Sequence, residues 1–201
     1  MKKVLIIIAV AVVLLGIGIV SKSIGTYNQI IAGEEGVKSA WAQVENSYQR
    51  RYDLIPNLVA TVQGAADFEK STLAEVVDAR SRLGGTVKID ENMLSDEAAM
   101  KRFQESQASL GGALQRLMMV TENYPDLKAS KNFRDLQVQL EGTENRISVE
   151  RKKYNDTVRE YNTYIRQFPN NLIAGFAGAS PKVLFAADAA AQTAPKVDFS
   201  K

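Results

Sequence analysis

The chain has 201 residues, room for one domain with its own core plus appendages, and its 25 Lys and Arg against 23 Asp and Glu leave a net charge of +2. That balance makes no strong field to gather nucleic acid or an acidic substrate. Cys and His are both missing, which removes disulfides, thiolate nucleophiles, zinc clusters, His-dependent triads and the Glu-x-x-His di-iron site; no catalytic residue, metal site or cofactor is expected.

The first predicted element is a membrane anchor over residues 1–24. Lys2 and Lys3 precede an uninterrupted apolar run over residues 4–20, which as a helix rises about 25 Å. Ser21, Lys22, Ser23 and Ile24 complete the crossing, with Lys22 extending to the headgroups along its aliphatic stem. A cleaved signal peptide would have a shorter apolar core and an A-x-A site, and lipoprotein processing needs a Cys. Lys2 and Lys3 on one side, against Lys22 and Lys38 on the other, favour a cytoplasmic N-terminus with the remainder of the chain outside.

Beyond a short neck near residues 21–27, apolar residues recur at helical spacing and strand-like alternation is nearly absent. The expected fold is all-α: one transmembrane helix, then an antiparallel bundle of three to four long helices over residues 25–174 with coiled-coil-like seams. In the first soluble stretch Tyr27 and Ile31 lead a stripe that continues through Trp41, Val44, Tyr48, Tyr52, Ile55, Leu58, Val62, Leu73, Val76 and Leu83. Gly33-Glu34-Glu35-Gly36 should shift this stripe, and Pro56, which deprives the Tyr52 carbonyl of a donor, should kink it. Gly84-Gly85 closes the stretch, and a loop follows to Asn92.

A second helix is predicted over residues 95–123, with Ser95 as N-cap, Phe103, Leu110, Leu114 and Leu117 inward, and Gly111-Gly112 close to a bulky neighbour or at a bend. After a turn at Tyr124-Pro125-Asp126, the late helix aligns Phe133, Leu136, Leu140, Thr143, Ile147, Tyr154, Val158, Tyr161, Ile165 and Phe168. Phe168-Pro169 ends it. Residues 175–201 turn to Ala, Gly, Pro and Ser, and a loosely ordered tail is expected.

The densest motif is Arg50-Arg51-Tyr52-Asp53-Leu54-Ile55-Pro56-Asn57-Leu58-Val59. Together with the late block Tyr161-Asn162-Thr163-Tyr164-Ile165-Arg166-Gln167-Phe168-Pro169-Asn170-Asn171-Leu172-Ile173-Ala174, it resembles the LemA family of bacterial membrane-anchored helical proteins. The resemblance runs over nearly the whole chain, although Gly178-Ala179-Ser180-Pro181 stands where relatives often carry a more aromatic Phe-Gly-Phe segment. It implies a four-helix bundle on a single membrane helix, no established enzymatic activity, and a family with members that take part in organising membranes.

On their own chemistry, Arg50, Arg51 and Asp53 are expected to tie the Pro56-bearing helix to the late one through Asn155, Arg159 and Asn162, with Asn162 also satisfying the carbonyl freed by Pro56. Alternatively, Arg50 and Arg51 beside Tyr48 and Tyr52 form a docking or anionic-lipid surface. Glu34-Glu35, Asp96-Glu97 and the pair Glu141 and Glu144 read as turn, helix-start and solvated-face residues rather than metal ligands. The leading functional expectation is a non-catalytic, membrane-tethered interaction or scaffolding protein with a protein partner or copies of itself, and with no nucleic acid or small-molecule substrate. A ligand or lipid sensor using space between the helices near Asp53, Asn57, Asn155 and Asn162 is the alternative. A Ser/Lys hydrolase comes third, since Ser71, Ser95 and Ser148 have lysines nearby in sequence.

Overall fold

The computed structural model describes residues 2–64, 68–83 and 91–186. Its first helix, α1, runs without a break from Lys2 to Gln63. The expected neck is therefore absent: the apolar segment and the first bundle helix are one rod, about 93 Å long at ~1.5 Å per residue. Side chains from Leu5 to Val20 stand outside the packed core, an apolar surface that water would not tolerate. Among the described residues α1 is the helix long and apolar enough to cross a membrane.

The rod continues through both expected disturbances. Pro56 lies on the exposed side, where water can reach the carbonyl it leaves unpaired, while Ile55 and Leu58 beside it are fully buried and the helix continues to Gln63. At Gly33 the need for glycine is steric, because a Cβ there would stand 3.0 Å from Cδ2 of Tyr161, tighter than a side chain tolerates without movement of the ring. The stripe also starts one residue earlier than expected: Thr26 and Ile30 are buried, whereas Tyr27 and Ile31 are exposed.

Gln63 ends α1, Gly64 turns the chain, and buried Phe68 precedes α2 (Lys70–Arg82), so Leu73, Val76 and Leu83 belong to a separate element. The expected loop from Gly84 onward lies largely outside the described residues. A 3-10 turn (Glu91–Ser95) leads into α3 (Glu97–Thr121). The N-cap of α3 is Asp96 rather than Ser95: its Oδ1 accepts from the amides of Ala98 and Ala99 at 2.9 and 3.0 Å. The turn at Pro125 becomes a short helix, α4 (Pro125–Ala129), with proline in its first turn. Then come α5 (Lys131–Arg166) and α6 (Asn170–Ala177).

Helix α5 runs antiparallel to α1, with Glu144 opposite Arg51, Thr157 beside Gly36 and Tyr161 beside Gly33. Two apolar cores fill the bundle. The one farther from the apolar segment gathers Ile55, Leu58, Val62, Phe68, Val76, Leu110, Leu117 and Phe133. The nearer one gathers Ile30, Val37, Trp41, Tyr48, Met100, Tyr154, Tyr161 and Phe185.

Candidate functional site

Between the two cores lies a polar layer. On α1 the inward positions Tyr48 and Ile55 flank Arg51, on α3 Phe103 and Leu110 flank Gln107, and on α5 Leu140 and Ile147 flank Glu144. The step of three and four that carries the apolar stripe thus delivers an arginine to the inside, where its side chain is only 4% exposed. A buried guanidinium needs partners for its charge; here both terminal nitrogens have them, while Nε has no hydrogen-bond partner among the described residues. Nη1 donates to both oxygens of Glu144, at 3.0 and 3.3 Å, and Nη2 donates to the backbone carbonyl of Gln107 at 3.3 Å and to the Gln107 side-chain oxygen. The Tyr48 ring sits 5.1 Å from Cζ. Arg51 therefore joins α1, α3 and α5 in one layer. Gly111 borders it, but a Cβ there would lie 3.8 Å from Nη1, an ordinary contact, and Gly112 has nothing within 4 Å, so neither glycine answers the expected bulky neighbour.

The second arrangement is a strap. Gly178, at φ +68°, caps α6 in the left-handed conformation, with its amide bonded to Gly175 and that of Ala179 to Ala174. The chain then runs back along α5 through residue 186. Asn162 grips the strap at Lys182, donating to its carbonyl and accepting from its amide, both at 2.8 Å. Asn155 does the same at Phe185, at 3.2 and 2.8 Å. The spacings match: seven residues of α5 rise about 10.5 Å, and three residues of extended chain cover about 10 Å. Between the two grips, the Val183 amide donates to the Leu94 carbonyl at 2.7 Å and the Tyr154 hydroxyl donates to the Val183 carbonyl at 2.9 Å. Phe185 stacks on Trp41 with ring centroids 5.6 Å apart, and Lys182 Nζ pairs with Glu34 at 2.8 Å. Burial pushes the Tyr154 phenol pKa well up, and burial followed by the nearby Glu34 carboxylate raises that of Tyr161. Residues 175–186 therefore depart from the expected loose tail, because asparagine side chains substitute for the missing secondary-structure partners. Residues 187–201 lie outside the described part.

Several sequence-derived site residues stand elsewhere than expected. Asp53 is exposed and accepts from Gln49 one turn back at 2.7 Å; it does not reach α5, and Glu144 takes the role foreseen for it. Arg50 is exposed, as is Arg159, which bonds within α5 to Asp156 and to the Asn155 carbonyl. Asn162 serves the strap rather than the carbonyl of Tyr52. Asn57 and Pro56 face outward, Phe168 is 81% exposed instead of completing the α5 stripe, and Pro169 precedes α6 as its cap. About 16 Å of helix separates Glu144, opposite Arg51, from Asn155, so Asp53, Asn57, Asn155 and Asn162 do not line one space. A hollow of about 660 Å³ does open between α3 and α5, beside Leu114, Met118, Leu140, Glu141 and Glu144. Ser95 meets a lysine distant in sequence, with Lys182 Nζ donating to its hydroxyl at 3.3 Å, but that ammonium is committed to Glu34 and to the strap. Gln107 and Lys182 escaped the sequence reading, which placed Glu144 on a solvated face and Ser95 at a helix cap. A polar residue on the apolar stripe of α3 was the available signal for Gln107, whereas Glu144 stands half-exposed beside the stripe of α5 and carried none.

The pattern of the LemA family matches residues 40–199. Magnetosome protein MamQ 2 of Paramagnetospirillum magneticum is 28% identical over 167 residues, covering 76% of this chain and 61% of that protein. Magnetosome protein MamQ of Magnetospirillum gryphiswaldense is 27% identical with the same coverage. Protein LemA of Metamycoplasma hominis is 24% identical over 151 residues, covering 75% of this chain and 64% of that protein. The chain spans less than two thirds of the length of these relatives.

Proposed function

Because the chain belongs to the LemA family, we propose that it is a non-catalytic, membrane-tethered scaffolding protein of the bacterial cell envelope, anchored in the inner membrane with its bundle outside. The observation that carries this reading is the continuity of α1 from the apolar segment through Trp41 and Arg51 to Val62. A bundle on a flexible neck would sample all attitudes, whereas one built around the anchor helix itself is held at a fixed height and angle. That suits a module that presents surfaces to a partner protein or to copies of itself, and the polar layer and strap serve to keep those surfaces in register.

Crosslinking in intact cells, followed by gentle solubilisation, tests this directly. The expected result is a stoichiometric homo-oligomer or one partner recovered with the full chain. A clean monomer without a crosslinked neighbour would overturn it.

A further inference from the structure

The turnaround between α5 and the strap carries an apolar surface that the bundle does not use. Helix α5 travels toward the apolar segment, since Glu144, Thr157 and Tyr161 meet Arg51, Gly36 and Gly33 in that order. The strap travels away from it, from Asn162 to Asn155. Helix α6, which joins the two, is therefore the tip of the bundle nearest the apolar segment. Its inner side is fixed: Ala174 is buried in the core with Ile30 and Ile165, and Ile173 packs on the same cluster. Ile30 is only about 9 Å along α1 from Ile24, where the apolar segment ends.

The other side of this tip is bare. Phe168 is 81% exposed, Leu172 55% and Phe176 93%, a spacing of four residues that places Leu172 and Phe176 on one face of α6. At the same level on α1, Ile24, Tyr27 and Ile31 are exposed as well. Helix α6 contains no charged residue; its polar side chains are the amides of Asn170 and Asn171, and Gln167 and Arg166 are the polar side chains just before it, groups that suit the headgroup zone. Two aromatics this exposed, continuous with a membrane-crossing helix, call for an apolar phase rather than water.

We propose that α6 and Phe168 dip into the surface of the same bilayer that α1 crosses, so that the bundle rests on the membrane through a second, lateral contact. The proposal rests on reading α1 as membrane-inserted. The contact fixes the tilt of the bundle and involves Phe168, Leu172, Phe176 and Tyr27.

The test uses the full chain, whose lack of cysteine allows single spin labels. Leu14→Cys, Leu172→Cys, Phe176→Cys and Val138→Cys variants, nitroxide-labelled and reconstituted in phosphatidylcholine–phosphatidylglycerol vesicles, are probed with oxygen and with a water-soluble nickel chelate. All four positions are exposed, so labelling removes no core packing. Oxygen should exceed the chelate at Leu14, and at Leu172 and Phe176 to a lesser, shallower degree, with the order reversed at Val138. Labels at Leu172 and Phe176 that behave like Val138 would overturn the contact while leaving the anchor intact. Protection from both reagents would overturn it in favour of a second copy or a protein partner. An aqueous signal at Leu14 would remove the anchor and the contact together.

Discussion

Arg51 and Asp53 are two residues apart in one motif and have opposite fates. Nothing in the local sequence separates them; the 3.6-residue period does, since Arg51 falls between Tyr48 and Ile55 on the inward stripe and Asp53 falls off it. The importance of Arg51 was thus legible, but its partners were not, because Gln107 and Glu144 lie 56 and 93 residues away on other helices. Replacing Arg51 by Lys keeps the charge and loses the planar fork that serves Glu144 and Gln107 together, and should cost about 2–3 kcal/mol. Asp53→Ala removes one exposed bond to Gln49 and should cost under ~0.5 kcal/mol. Thermal unfolding followed by circular dichroism distinguishes them, and equal melting temperatures would contradict the layer. The two buried tyrosines offer a second contrast. The Tyr154 hydroxyl holds Val183, so Tyr154→Phe should cost about 1 kcal/mol. The buried Tyr161 hydroxyl has no hydrogen-bond partner among the described residues, so Tyr161→Phe should be neutral or slightly stabilising. Below the ordinary phenol pKa of 10.0 Tyr154 is protonated folded and unfolded alike; above it only the unfolded chain ionises, because burial raises the folded value. Stability should therefore fall as pH rises above 10, and Tyr154→Phe should flatten that fall.

At the scale of elements, helix periodicity carried most of the fold. The inward residues of α5 from Phe133 to Ile165 are buried apart from half-buried Leu136, with Glu150 added. What periodicity could not supply were the boundaries, where short-range chemistry decides. A serine and an aspartate at positions 95 and 96 are equally good caps on composition; the 3-10 turn before α3 leaves Asp96 extended at φ −108° and ψ 107°, with its carboxylate over the first amides. Asp96→Ala should accordingly cost about 1 kcal/mol, and Ser95→Ala much less, in chemical denaturation. A larger loss at Ser95 would return the cap to it. The strap was illegible for a different reason. Residues 178–186 have neither helical nor strand pattern, and their order comes from Asn155 and Asn162, whose side chains take both hydrogen-bonding groups of Phe185 and Lys182. The seven-residue spacing of those asparagines becomes a signal only once an extended chain lies alongside.

For the whole molecule, the continuity of α1 sharpens the question of orientation. Lysines on both sides of the apolar segment compete, and a flexible neck would let Lys38 fold back to the membrane surface. In a continuous helix it cannot: Lys38 lies about 21 Å beyond Ile24, more than two Debye lengths of ~8 Å at physiological ionic strength. The competition then reduces to Lys2 and Lys3 against Lys22, and the pair favours a cytoplasmic N-terminus. Val138, exposed on α5 near the end of the bundle farthest from the apolar segment, reports the outcome. From the α1–α5 register it stands on the order of 50 Å from Ile24, clear of any shielding by the bilayer. In a background without native thiols, Val138→Cys should react with a membrane-impermeant maleimide on cells with a permeabilised outer layer and an intact inner membrane. Reaction only after the inner membrane is opened would place the bundle in the cytoplasm, and would mean that Lys22, at the very edge of the segment, outweighs the two lysines at its start.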